Sequence, residues 1–195
     1  LSAQNESNSP YSRFGLGDLQ SFSTATQSAM GGVGIASYDP LSINVINPAS
    51  YSSVFAQRFT MQTGGIHTTK LLQTSTQNQV VNSTNFNYLM FSFPLSKFWG
   101  TSVGLLPYSE KSYSFSDAIT DPSADLLFEG NGGLTRIYFG NSTNVNKNLS
   151  IGANLNYLFG NISRSTEIYT ENAIIQFREN NSTFINDINF DCGVL

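Results

Sequence analysis

The feature that most limits how this chain can fold is a two-residue alternation of apolar and polar side chains, which begins near residue 57. The clearest example is the run NLSIGANLNYLFG from Asn148 to Gly160. Its apolar residues share one face and are Leu149, Ile151, Ala153, Leu155, Tyr157 and Phe159. The opposite face carries Ser150, Gly152, Asn154 and Asn156. A period of two with one apolar face indicates a β-strand.

The same alternation predicts seven antiparallel strands. Their predicted ranges are 57–72, 82–95, 98–113, 125–142, 148–164, 168–179 and 183–195. Tight polar turns are expected at 95–98 and 144–148, because short polar stretches there separate two alternating runs. Longer polar connections are expected at 73–81 and 117–124. Short turns at one end and longer loops at the other are typical of a transmembrane β-barrel.

Charge content favours a barrel over a water-soluble sandwich. Charged residues make up 11% of the chain, against about 25% in ordinary soluble domains. A solvated sandwich surface usually carries more charge than these Asn-, Ser- and Thr-rich polar faces. No apolar run approaches the roughly 20 residues of a spanning helix. We therefore predict an all-β fold, an antiparallel transmembrane β-barrel, with a secreted adhesin-like β-domain as the weaker alternative.

The strand count suggests that the barrel is incomplete. Seven is an odd number, whereas single-chain bacterial barrels usually have an even one. The alternation also still runs at Leu195. The expectation is that residues 55–195 are the first part of a larger barrel. At the other end, residues 1–3 are expected to be a signal-peptide remnant, because the small residues before Gln4 suit signal-peptidase cleavage.

Residues 4–54 differ from the alternating region, and we predict that they form an N-terminal hatch or plug segment inside or beneath the barrel. The stretch contains three close glycines and two X-Pro turns, Asp39-Pro40 and Asn47-Pro48. One short helix is predicted within residues 20–30, capped by Ser23 or Thr24. Pro48 is predicted to begin a second short helix, because proline suits the first helical position.

No catalytic constellation is found in the sequence. His67 is the only histidine and Cys192 the only cysteine, so multi-histidine metal sites and intrachain disulfides are excluded. The acidic loop residues Asp39, Asp117, Asp121 and Asp125 have a spacing that matches no calcium loop. The glycine run lacks the Lys-Ser/Thr of a phosphate-binding loop. We predict no enzyme activity, cofactor or metal. The pI of 4.8 and the lack of a basic patch exclude nucleic acid as a binding partner.

The stretch AMGGVGIASYDPLSINVINPAS, residues 29–50, resembles the N-terminal signature of FadL-type outer-membrane transporters. The matching positions are Ala29, Gly31, Gly32, Gly34, Ala36, Asp39, Asn47, Pro48 and Ala49. Segments 93–109 and 133–163 are similar to hairpins of that family, the second in its Bacteroidota branch. Segment 9–19 also looks like that branch.

This resemblance implies a 14-stranded barrel in the outer membrane of a Gram-negative bacterium, in contact with outer-membrane lipid. It implies passive uptake of small hydrophobic molecules through a hatch-gated channel. The candidate gate or ligand-contact residues are Gly31, Gly32, Gly34, Asp39, Asn47, Pro48 and Ala49. Asn47 either lines such a passage or only holds a turn.

Related barrels of the Bacteroidota branch serve protein secretion or surface attachment instead of transport. The polar segment before Ala29 departs from the transporter pattern. The alternative function is therefore a non-transporting barrel that partners a secretion or surface-protein complex, with other outer-membrane or secretion-system proteins as its contacts.

Overall fold

The structure is a computed structural model that describes residues 9–53, 58–73, 78–120, 123–170 and 175–195. The predicted signal-peptide remnant at residues 1–3 lies outside the described residues.

In the described residues the fold consists of one antiparallel sheet and three short helical segments. Its strands are β1 (Asp18–Leu19), β2 (Thr60–Gln73), β3 (Asn78–Pro94), β4 (Trp99–Thr120), β5 (Ser123–Asn146), β6 (Leu149–Thr170) and β7 (Ile175–Val194). The helical segments are α1 (Ala25–Ala29) and the 3-10 helices Pro10–Arg13 and Pro48–Ser53. Within the described ranges, no helix has the length and apolar character required to cross a bilayer.

The strand order is β2-β3-β4-β5-β6-β7, and β1 pairs with β4. The prediction of an all-β antiparallel fold with seven strands is confirmed. The sheet is open, because β2 and β7 lie at its two edges and do not pair with each other in the described part of the chain. Closure into a transmembrane barrel therefore stays a prediction.

Two strand boundaries predicted from the alternation are wrong. β6 continues to Thr170, and β7 runs without a break from Ile175 to Val194. The predicted strand at 168–179 is therefore not a separate strand, because its ends belong to β6 and β7, whereas the strand predicted at 183–195 is the second half of β7. Around residues 164–167 and 179–182 both faces are polar, and the pattern fades. The ladder continues there because strand pairing is made by backbone groups, which do not depend on side-chain polarity.

The predicted long connection at 117–124 is also wrong, because β4 and β5 remain paired out to Thr120 and Ser123. The tight turns at 95–98 and 144–148 are confirmed in position, since β3 ends at Pro94 and β6 begins at Leu149. The seventh strand is instead β1, which lies in the segment predicted to be a hatch or plug, where no strand was expected.

The two faces of the sheet are inverted relative to those of a water-soluble sheet. In β6, Asn154 and Asn156 are 1% and 0% exposed, whereas the intervening Leu155 and Tyr157 are each 44% exposed. The polar face is thus covered and the apolar face uncovered. The cover is the N-terminal segment (residues 9–53), whose Pro48–Ser53 helix contacts β4, β5, β6 and β7.

A small apolar core forms where the N-terminal segment meets the sheet. It contains Ile43, Val45 and Tyr51 of the segment with Tyr88, Met90, Leu106 and Tyr138 of the sheet. The predicted short helix is confirmed as α1, and its cap is Thr24. The Thr24 hydroxyl accepts the Gln27 N–H at 3.3 Å, and the Gln27 side chain accepts the Thr24 N–H at 2.9 Å, which is a capping box.

Candidate functional site

Asn47 ties the N-terminal segment to the sheet. Its side chain is buried, with 4% of the residue exposed. Nδ2 donates to the carbonyl oxygens of Ile35 at 2.7 Å and of Val194 at 3.0 Å. Oδ1 accepts the N–H of Ala49 at 3.1 Å. One side chain therefore joins the glycine-rich loop, the end of β7 and the start of the Pro48–Ser53 helix.

Two glycines of the sheet form the seat for this helix. Gly152 of β6 and Gly193 of β7 lie directly opposite each other. A Cβ atom on Gly152 would lie 2.5 Å from the carbonyl carbon of Pro48, and one on Gly193 would collide with Oδ1 of Asn47. Only glycine allows this close approach of backbone to sheet. We call this pair the glycine seat.

The signal for the glycine seat was present in the sequence, although its meaning was missed. Both glycines stand on the polar faces of otherwise regular strands. A glycine inside a strand weakens it and often marks a close approach of another backbone.

Of the remaining predicted site residues, only Pro48, Ala49 and Gly34 lie close to this tether. The carbonyl of Gly34 accepts a hydrogen bond from Nδ2 of Asn44 at 2.6 Å. A Cβ atom on Gly34 would lie 2.6 Å from the end of the Ile46 side chain, so the glycine permits tight packing.

Gly31, Gly32 and Asp39 have local roles and are exposed or half-buried away from the seat. Gly31 and Gly32 have φ values of 76° and 84°, and they turn the chain after α1. A carboxylate oxygen of Asp39 accepts the N–H of Leu41 at 2.9 Å and closes a turn. The prediction that these residues form a gate or contact a ligand stays a prediction.

Tyr51 anchors the Pro48–Ser53 helix to the covered face. It is 1% exposed, and its hydroxyl donates to Oδ1 of Asn154 at 3.0 Å. Its ring packs beside that of Tyr138, with 6.3 Å between centroids. Burial raises the pKa of Tyr51 well above its ordinary value, so the hydroxyl remains protonated and keeps donating.

An ion pair lies on the same covered face. Arg136 is 7% exposed and lies 3.7 Å from the carboxylate of Asp191. Its guanidinium also stacks on the ring of Phe22, 3.8 Å from the centroid. Because Phe22 belongs to the N-terminal segment, this contact binds the segment to the sheet. Asp191 accepts a second contact from Nδ2 of Asn156 at 2.7 Å. These groups bind a chain segment to the sheet.

Glu110 and Lys111 of β4 form hydrogen bonds with uncharged groups instead. Lys111 donates to the carbonyl oxygen of Gly15 at 3.1 Å. Glu110 accepts both of its contacts from the Asn85 amide, at 2.9 and 3.2 Å.

β3 and β4 pair over only part of their length, and beyond that part the N-terminal segment lies beside β4 in place of β3. β3 pairs with β4 only where Leu89–Pro94 lies against Gly100–Leu105. Farther along, β4 pairs with β1, where Asp18 lies opposite Glu110. The N–H of Gln20 also donates to the carbonyl of Tyr108 at 3.0 Å. The segment thereby replaces β3 as the neighbour of β4.

A cavity of about 530 Å³ opens where β3 and β4 separate, and its walls include Asn85, Phe86, Leu105, Pro107 and Glu110. Pro107 has no N–H to offer to a ladder, and β4 carries a bulge between Pro107 and Ser109. The gap is bridged by the Asn85–Glu110 contacts and by a 3.7 Å ion pair of Lys70 with Asp18. Side-chain contacts and the N-terminal segment therefore connect β3 to β4 where their backbones no longer pair.

The uncovered face carries an apolar band of limited height, which we call the outer belt. Its members are Ile151, Ala153, Leu155, Tyr157 and Phe159 of β6 and Phe184, Ile188, Phe190, Cys192 and Val194 of β7. Beyond Phe159 the same face of β6 continues with Asn161, Ser163 and Ser165. The belt spans residues 151–159 on one strand and 184–194 on the next.

Replacing Asn47 by alanine in the full-length protein is expected to lower the free energy of unfolding by roughly 2–4 kcal/mol, because it leaves buried backbone groups without partners. The measurement is the urea midpoint of the purified protein in detergent. Asn180→Ala is the control, since Asn180 is exposed on β7 and far from the tether. Equal midpoints for the two variants would show that Asn47 is not a tether.

Comparison with known proteins identifies one family. A family model described as BamG matches residues 1–195, which is the whole sequence. No curated protein and no solved structure shows a significant match. The BamG family points to the bacterial outer membrane and to the machinery that assembles proteins there.

This match overturns the interpretation of the chain as a FadL-type transporter. The resemblance depended on short motifs, above all the glycine-rich run and Asn47-Pro48-Ala49. In the structure these residues turn the chain and seat it on the sheet, which are local requirements of many folds. Motifs with such local causes do not identify a family.

Proposed function

Because the chain belongs to the BamG family, we propose that it is an accessory component of the machinery that assembles proteins in the bacterial outer membrane. The observation that carries this proposal is the family match over the whole chain. It agrees with the non-transporting alternative that the polar N-terminal residues suggested.

In this proposal the strands hold the protein in the outer membrane through the outer belt. The belt spans residues 151–159 in β6 and 184–194 in β7. A tilted strand needs about 9–11 residues to cross the hydrocarbon layer, and the belt supplies this length. Trp99, which is 49% exposed, lies at the turn end beside Ile151 and Val194 of the belt, as aromatic residues of a membrane interface do.

The covered face supports a scaffold better than a passage. The N-terminal segment is bound there through Asn47, Tyr51 and the stack of Phe22 on Arg136. These contacts are buried and mutually supporting, so releasing the segment would leave several polar groups unpaired. We infer that the segment is a fixed plug whose role is to stabilise the sheet.

The proposal is tested by co-purification from native membranes. The full-length protein carries an affinity tag and is extracted with a mild detergent, and the assembly machinery is quantified in the eluate. We expect recovery in a fixed ratio, together with a fall in outer-membrane protein levels when the protein is depleted. A tagged, unrelated outer-membrane barrel of similar abundance is the control. Recovery no higher than with that control would refute the proposal.

A further inference from the structure

A cleft at the turn end of the sheet is distinct from the contacts described above. It has a volume of about 340 Å³, within the range of about 300–1,000 Å³ typical of ligand sites. The residues that define its chemistry are Tyr38, Lys97, Phe98, Asn146, Lys147 and Ser150. Tyr38 comes from the N-terminal segment, and the others come from the two tight hairpins and the first residues of β6.

The cleft is positively charged. Lys97 and Lys147 belong to the two hairpin turns, and neither takes part in an ion pair with a described residue. The lining contains no acidic residue. Asp39, which follows Tyr38 in the chain, uses a carboxylate oxygen to accept the N–H of Leu41. Two ammonium groups without carboxylate partners favour an anionic ligand.

The remaining lining favours a peptide over a small anion. Tyr38 is 66% and Phe98 64% exposed, so the cleft presents two aromatic side chains for apolar contact beside the charges. Asn146 and Ser150 add amide and hydroxyl groups that suit a peptide backbone. Aromatic residues beside a few placed polar groups are the usual composition of a recognition site.

The position of the cleft favours a protein over a lipid headgroup. The side chain of Asn144, another lining residue, accepts hydrogen bonds from Ser52 at 2.6 Å and from Ser150 at 2.7 Å. Ser52 belongs to the N-terminal segment, so the cleft opens beside the covered polar face. The outer belt begins at Ile151 on the opposite face.

We propose that this cleft binds an extended acidic segment of a partner protein, in which carboxylates meet Lys97 and Lys147 and an apolar residue packs between Tyr38 and Phe98. The inference rests on the proposed function, since it gives the chemistry by which the assembly machinery would be recognised.

The test measures binding of a fluorescent peptide of alternating glutamate and leucine to the full-length protein in detergent at low ionic strength, by anisotropy. The key variant is Lys97→Gln with Lys147→Gln. The matched control is Arg164→Gln, which removes one exposed charge from the other end of the strands and is compared with Lys97→Gln alone. We expect the key variant to bind roughly tenfold more weakly, and the control to bind like the unmodified protein. Phe98→Ala is expected to weaken binding about threefold.

Three results would overturn the proposal. The key variant could bind as tightly as the unmodified protein, or the control could lose affinity equally, which would indicate a general charge effect. The lysines could instead govern binding to phosphatidylglycerol vesicles and leave the peptide affinity unchanged, which would assign the cleft to lipid headgroups. A failed peptide test with intact co-purification would leave the proposed function standing, whereas failed co-purification would refute that function whatever the peptide does.

Discussion

Replacing Gly152 by valine is expected to detach the Pro48–Ser53 helix from the sheet. A Cβ atom at this position would lie 2.5 Å from the carbonyl carbon and oxygen of Pro48 and 2.6 Å from the nitrogen of Ala49. These are backbone atoms, which cannot move aside as a flexible side chain would. Overpacking of this kind costs about 1–3 kcal/mol and occasionally more. We expect a loss near 3 kcal/mol, because valine adds two further methyl groups at the contact.

The measurement combines the urea midpoint with the rate of limited proteolysis in the exposed loop around Val33 and Leu41 of the full-length protein. We expect cleavage to accelerate at least roughly tenfold, since loss of the seat raises the population of the detached segment. Gly65→Val is the matched control, because the nearest atom to its added Cβ would be the carbonyl oxygen of Asn85 at 3.4 Å. Unchanged cleavage in the Gly152 variant would show that the segment does not depend on the glycine seat.

The local features of this fold can be predicted from the sequence. The faces of β6 were predictable, because side chains alternate across any strand and the apolar set from Leu149 to Phe159 stands out. The cap of α1 and the start of the 3-10 helix at Pro48 were also predictable, because each depends on residues within four positions of one another.

Contacts between distant residues could not be predicted. The Tyr51–Asn154 hydrogen bond joins residues 103 positions apart, and the Asn47–Val194 bond joins residues 147 positions apart. The types of Tyr51 and Asn47 do not determine which distant group each of them binds. The sequence also does not indicate that Arg136 pairs with Asp191 or that Phe22 stacks on its guanidinium.

The prediction of where the long strands end was wrong for a different reason. Near Arg164 and Asn181 both faces are polar, so no alternation remains, yet these two residues are partners in the ladder. The ladder is made of backbone hydrogen bonds, which persist without a side-chain pattern. The pairing of β1 with β4 was missed likewise, because a two-residue strand is too short to show a period.

Placing an arginine in the outer belt is expected to separate a membrane-embedded sheet from a water-exposed one. Leu155 of β6 is 44% exposed and lies near the middle of the belt. If the belt contacts lipid, Leu155→Arg puts a charge close to the bilayer midplane, which costs about 2–4 kcal/mol in outer-membrane barrels. In water the same change would cost little, because arginine extends its charged end into solvent while its stem covers apolar surface.

Ser165 provides the matched control, because it lies on the same face of the same strand beyond the end of the belt. The free energy of unfolding of Leu155→Arg and Ser165→Arg is measured in lipid vesicles by urea titration and repeated in detergent. We expect the Leu155 variant to lose about 2–4 kcal/mol in vesicles and the Ser165 variant less than about 1 kcal/mol, because the cost falls towards the interface. Equal losses at the two positions would contradict a lipid-facing belt, and with it the membrane-embedded accessory component proposed for this chain.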